Sequence, residues 1–150
     1  MKINSCIRGE ESRSWKLAEA FLEEMMENAT RTFQYEQLNL TQMELKPLVG
    51  KFFEDRQKLL ETPDRSHPRF DYAHQFAEAI LVAAPFWDLS IPAILKIYIE
   101  NISVDGITFG CNADGMYGLA KAKKMIFFTS RGDVYGNGHM EQGARYLEAL

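Results

Sequence analysis

An α/β fold, a three-layer sandwich around a doubly wound parallel sheet, is what this sequence predicts, on three observations. Two short, predominantly apolar runs, Ile80-Leu81-Val82-Ala83-Ala84 and Met125-Ile126-Phe127-Phe128-Thr129, have the length of strands buried on both faces. Segments of helical spacing alternate with the strand-like segments, which implies parallel strands joined by helical crossovers. Polar or aromatic loops follow the three most central strand candidates, where open α/β sheets bind their ligands.

Met1–Asn4 reads as the end of a short first strand, clipped against the five or six residues usual for such a strand. Ser5–Arg13 is a polar loop carrying Gly9. A helix starts near Ser12–Ser14 and runs to about Ala29, with Ala18, Phe21, Leu22, Met25, Met26 and Ala29 as its apolar stripe. Thr32–Leu40 is expected as a strand at or near a sheet edge. Lys46–Glu61 has helical spacing and many charges. Thr62–Arg69, with Pro63 and Pro68, is a linker, and Phe70–Glu78 is a short helix. After the strand Ile80–Ala84, Pro92 suits the first turn of a helix reaching about Asn101, with Leu95, Tyr98, Ile99 and Ile102 as its stripe. Thr108–Gly118 is irregular and compatible with a small hairpin. Met125–Thr129 is the last strand, Ser130–Gly138 a glycine-bearing loop, and His139–Leu150 a helix. The order is β-α-β-α-α-β-α-(hairpin)-β-loop-α, within one domain spanning residues 1–150.

Composition narrows the function. The 150 residues suffice for one sizeable core. Net charge is −4, from 17 basic and 21 acidic residues, and the basic residues are scattered, so no nucleic-acid surface is expected. No apolar run approaches a membrane span, and Met1 is followed by Lys2, Asn4 and Ser5 rather than by a signal segment. The expected location is the cytoplasm. There the two distant thiols, Cys6 and Cys111, are reduced. His67, His74 and His139 lack metal-ligand spacing, so no metal is expected.

Three loops carry the chemistry. The first offers Ser5, Cys6, Arg8, Ser12, Arg13 and Ser14 ahead of a helix, where hydroxyls, free N–H groups and arginine suit a phosphate; plain N-capping by Ser12 or Ser14 is the alternative. It is neither a Walker loop nor a G-x-G-x-x-G fingerprint. The second, Pro85-Phe86-Trp87-Asp88-Leu89-Ser90-Ile91-Pro92, presents aromatic rings to a flat ligand, or else is a well-packed turn. The third, Ser130-Arg131-Gly132-Asp133-Val134-Tyr135-Gly136, offers backbone N–H groups with glycine for close approach, or is a surface turn.

On these motifs, across nearly the whole chain, the sequence resembles the flavodoxin-like, FMN-dependent NAD(P)H:quinone oxidoreductases and NADH azoreductases. The resemblance implies a flavodoxin-like sheet of strand order 2-1-3-4, with a fifth strand missing and both ends shortened. It implies FMN as cofactor, with the phosphate held by Cys6, Ser12, Arg13 and Ser14. Pro85, Phe86, Trp87, Asp88 and Leu89 would line the ribityl chain and ring, and Ser130, Arg131, Gly132 and Asp133 would close over its pyrimidine side. It further implies a homodimer that carries hydride from NADH or NADPH to a quinone or azo compound by a ping-pong route, the protein positioning and tuning the flavin. The departures are Cys6 in place of a phosphate-binding serine, Cys111 in place of a tyrosine over the flavin, and Asp133 in place of a glycine. A thiol is the poorer donor, which implies weaker FMN binding. Ile97, Tyr98 and Phe109 are candidates for the dimer interface or for ordinary core packing. A flavodoxin-like electron carrier and a flavin-less dimeric interaction module are the alternative functions.

Overall fold

Four parallel strands form the central sheet, in the spatial order Gln37–Asn39, Lys2–Asn4, Ala79–Ala83, Lys124–Phe128. The computed structural model describes residues 1–75, 78–135 and 138–150. The strands are β1 (Lys2–Asn4), β2 (Gln37–Asn39), β3 (Ala79–Ala83) and β6 (Lys124–Phe128). Register is continuous from edge to edge: Ile3 sits opposite Leu38 and Val82, and Val82 opposite Phe127. This is the 2-1-3-4 order implied by the resemblance, with β6 as the fourth strand of the sheet. The intervening β4 (Phe109–Asn112) and β5 (Gly115–Gly118) form a separate antiparallel hairpin.

Side chains alternate across the strands, and the alternation builds two cores. Ile3, Ile80, Val82 and Ala84 join Leu40, Phe70, Leu95, Tyr98, Ile99, Ile102 and Leu147 on one face, with Phe127 packed against them. That layer carries α2 (Gly50–Leu60), α3 (Asp71–His74), α4 (Ala93–Ile102) and α5 (Gly143–Glu148). On the opposite face Ala83 meets Cys6 and Ala18, flanked by Trp15 and Phe128, under α1 (Arg13–Glu27). Lys2 also points to this second face. It is buried and ion-paired to Glu19, with its ammonium 4.2 Å from the Trp15 ring centroid and 5.2 Å from that of Tyr35. A buried cation persists only with such partners.

Several boundaries differ from expectation. The strand expected over Thr32–Leu40 shrinks to Gln37–Asn39, because β1 supplies ladder partners only over Lys2–Asn4. The helix expected over Lys46–Glu61 begins at Gly50, after Pro47, whose predecessor is steered away from helical geometry. The expected helix Phe70–Glu78 narrows to Asp71–His74, behind a 3₁₀ turn at Pro68–Phe70; Phe76 and Ala77 lie outside the described residues. The expected helix His139–Leu150 is confined to Gly143–Glu148. In α1 the buried stripe is Ser14, Ala18 and Leu22, while Met25 and Met26 are exposed near its far end. Tyr98 is a core residue, 1% exposed, and not an interface candidate. No helix among the described residues is long and apolar enough to cross a membrane.

Candidate functional site

The carboxyl ends of β1, β3 and β6 open onto one edge of the sheet, and their loops meet there. The first loop is anchored from below. The Ala83 carbonyl accepts from the Ser5 backbone N–H and hydroxyl, both at 3.0 Å, and from the Cys6 thiol at 3.4 Å. The loop turns through Gly9, at φ +55°, a left-handed conformation that glycine adopts without strain. It enters α1 at Ser12, whose Oγ accepts from the Trp15 N–H at 3.4 Å as an N-cap. Among the described residues nothing accepts from the N–H groups of Arg13 and Ser14 in that first turn.

The second loop closes on itself. The N–H of Trp87 donates to the Ser90 carbonyl at 3.1 Å, and the N–H of Ser90 donates back to Trp87 at 2.9 Å. The two residues between, Asp88 and Leu89, have φ of +47° and +63°, the sign pattern of a type I′ turn. Asp88 and Leu89 are exposed, and Trp87 is left 42% exposed.

The third loop ties the other two together. The Ser130 N–H donates to Ser14 Oγ at 2.9 Å, and the two hydroxyls lie 2.9 Å apart. The Phe86 N–H donates to the Ser130 carbonyl at 3.2 Å. The Phe86 ring stands 4.8 Å from that of Tyr135 and 5.2 Å from the Arg131 guanidinium. Gly136 and Asn137, further along this loop, lie outside the described residues.

Between the loops lies a cleft of about 540 Å³ lined by twelve residues. Eight come from the set implied by the resemblance: Ser12, Arg13, Pro85, Phe86, Trp87, Ser130, Arg131 and Gly132. The other five are placed differently. Cys6 and Ser14 are buried beneath the cleft, and their polar atoms are engaged with Ala83 and Ser130. Burial pushes the Cys6 thiol above its ordinary pKa. Asp88 borders a second cavity of about 770 Å³ on the far side of Trp87, and Leu89 forms the outer turn beside it. Asp133 is exposed, its carboxylate accepting from the Val134 N–H at 2.7 Å. Four lining residues lie outside the implied set: Ile7, Arg8, Glu11 and Lys16. Lys16 is legible in retrospect, since it follows Ser12 by one helical turn and shares its face.

The donors suit a monoanionic or dianionic group beside a flat ring. Arg8, Arg13 and Lys16 gather at the N-terminus of a 15-residue helix, where the helix dipole adds to their charge. At the other wall Arg131 Nε, a buried polar atom, lacks any partner among the described residues, as does Thr129 Oγ1 in the residue just before the lining residue Ser130. Buried polar groups are normally satisfied, so an acceptor seated at this strand end would complete the set. A phosphorylated flavin fits these residues: cations and helix N–H groups for the phosphate, the rings of Phe86 and Trp87 for the isoalloxazine. Among the described residues no cluster of three or more His, Cys, Asp or Glu side chains could hold a metal ion.

Comparison with known proteins identifies the family and the fold. A family model described as flavodoxin-like fold matches residues 1–150. An FMN-dependent NADH:quinone oxidoreductase of Clostridium perfringens (strain SM101) is 38% identical over 155 aligned positions, covering 99% of this chain and 76% of that protein. The crystal structure of an azoreductase from Bacillus anthracis (strain Sterne) superposes with a TM-score of 0.81 at 29% identity, covering 99% of this chain and 76% of that one. An FMN-dependent NADH-azoreductase from B. anthracis (strain Ames Ancestor), solved in complex with FMN, shares the fold at a TM-score of 0.85 and 24% identity, with coverage of 99% and 77%.

Proposed function

This chain belongs to the flavodoxin-like fold family, and on that premise we propose that it is an FMN-dependent oxidoreductase that uses NADH to reduce quinones or azo compounds. The observation that carries the proposal is the single cleft into which all three strand-end loops converge, with cations at one end and aromatic rings at the other. FMN, when bound, supplies the two-electron redox chemistry that links NADH to the acceptor.

The protein's own part is binding and orientation. Ser12, Arg13, Lys16 and Arg8 hold the phosphate at the N-terminus of α1. Phe86 and Trp87 bear on the ring, with Pro85 fixing the approach of the loop. Ser130, Arg131 and Gly132 close the opposite wall, and Arg131 brings its unpaired Nε–H to an acceptor there. Cys6 and Ser14 act from beneath: Ser14 joins the first and third loops, and Cys6 fills the space under the first. This arrangement accounts for a cysteine at that position, because its thiol is directed at the Ala83 carbonyl rather than at the cleft.

We propose further that the protein works as a homodimer in the cytoplasm. The exposed apolar side chains of the hairpin and its exit, Met116, Tyr117 and Leu119, support the first. Two free cysteines, one buried and one exposed, support the second. Light scattering behind a sizing column tests the dimer, since a mass near 17.2 kDa would dismiss it.

The test of the function is to mix the protein with FMN, remove free flavin, and record the visible spectrum before and after NADH. The expected result is a bound flavin band that bleaches with NADH and returns on adding a quinone. A protein that retains no flavin overturns the proposal.

A further inference from the structure

Glu141 is 4% exposed, and no sequence pattern marks it as functional. A carboxylate so placed costs free energy unless it is paired and hydrogen-bonded. Its Oε1 accepts from Arg131 Nη2 at 3.1 Å and from the Ala144 N–H at 3.0 Å, the latter in the first turn of α5. One carboxylate thus joins the third loop to a helix. The adjoining Gln142 N–H donates to the Leu89 carbonyl at 3.0 Å, which joins the same helix to the second loop. The helix also fits closely there: a Cβ on Gly143 would lie 3.2 Å from the Ser90 carbonyl carbon. Arg131 in turn lies over Phe86, whose N–H is held by the Ser130 carbonyl.

From this closed circuit we infer that Glu141 is a positioning residue for the cleft. Its buried carboxylate holds Arg131 against the Phe86 ring and, by anchoring the start of α5, sets the second and third loops at a fixed separation. The inference rests on the flavin reading for what the cleft holds, and on the hydrogen bonds alone for what Glu141 does. Without the carboxylate, the guanidinium has no anionic partner among the described residues to keep it on the ring, and α5 loses its side-chain bridge to Arg131 in the third loop. A cleft that must first be ordered binds its ligand more weakly than one already ordered.

The decisive variant is Glu141→Gln, which keeps shape and removes charge. FMN affinity, read by quenching of flavin fluorescence, is expected to fall about tenfold, as for loss of one charge-assisted hydrogen bond. Arg131→Gln, which also removes the Nε–H that faces the ligand, is expected to fall at least as far, and the double variant no further than Arg131→Gln alone, because Glu141 acts through Arg131. Hydrogen exchange supplies a readout without ligand. The amides of Phe86, Ser130 and Gln142 are expected to exchange faster in Glu141→Gln, with the Leu81 amide in β3 unchanged. A variant that melts lower yet binds FMN normally and keeps wild-type exchange at those three amides would overturn the inference. If the wild-type protein binds no FMN, the flavin reading fails by itself and the three amides still decide the role of Glu141. Should Glu141→Gln not fold, Glu141→Asp, which retains the charge but withdraws it from Arg131, is expected to show the same amides accelerated, and unchanged amides would overturn the inference equally.

Discussion

Trp87 stands between two cavities and lines both. Its ring is the largest apolar surface that the second loop offers a planar ligand, so Trp87→Ala is expected to weaken FMN binding about tenfold. Unchanged affinity in a fluorescence titration would remove Trp87 from the site. Arg13 and Lys16 act at the other end and only on charge. Arg13→Ala and Lys16→Ala are each expected to weaken FMN about threefold, a modest loss because both are exposed to solvent. Binding of riboflavin, which lacks the phosphate, should not change in either variant, and added salt should weaken FMN alone. Cys6 and Cys111 differ by burial. With its thiol pKa raised, Cys6 holds less thiolate at any given pH, and it is also shielded. Iodoacetamide at pH 8 is therefore expected to label Cys111 well before Cys6, as read by peptide mass.

At the scale of elements, two features concern how tightly the second loop is held. Leu89 occupies a left-handed conformation that glycine prefers, at a cost of about 1 kcal/mol. Since its side chain is exposed, Leu89→Gly is expected to raise the melting temperature by about 2–4 °C. Gly143 runs the other way. Alanine normally favours a helix over glycine by about 1 kcal/mol, but here a Cβ would meet the Ser90 backbone at 3.2 Å. That backbone is pinned by two reciprocal bonds with Trp87, so Gly143→Ala is expected to lower the melting temperature and displace the loop. The Gly143 effect depends on a contact between segments more than fifty residues apart, which no local pattern in the sequence displays. The same limit shortened the second strand: Thr32–Leu40 has strand-like composition throughout, yet β1 could pair only three of its residues. It also hid the surroundings of Lys2, which is enclosed by Glu19, Trp15 and Tyr35.

At the scale of the molecule, a chain of net charge −4 concentrates Arg8, Arg13, Lys16 and Arg131 around one cleft. That local reversal of sign favours an anionic ligand even though the whole is acidic. The sheet is less well covered at its β6 side, where no further strand pairs among the described residues and Met125 is 41% exposed. Such edges invite association, so Met125→Lys is expected to reduce light scattering of concentrated protein.

The order of the elements, the parallel sheet and the three strand-end loops were determined by the sequence alone. Apolar runs as short as Ile80–Ala84, bounded by turn formers, read as strands, and right-handed crossovers between them leave few ways to arrange the sheet. Arg13, Phe86, Trp87 and Ser130 belong to those loops for the same reason. Only the tertiary structure decided which side chains face the cleft. It turned Ser14 and Cys6 beneath it, set Asp133 outside it, and brought Lys16 and, through Arg131, Glu141 to bear on it. Strand and helix periods assign a residue to an element and a face, whereas a side chain's partner is chosen by what the rest of the chain packs beside it.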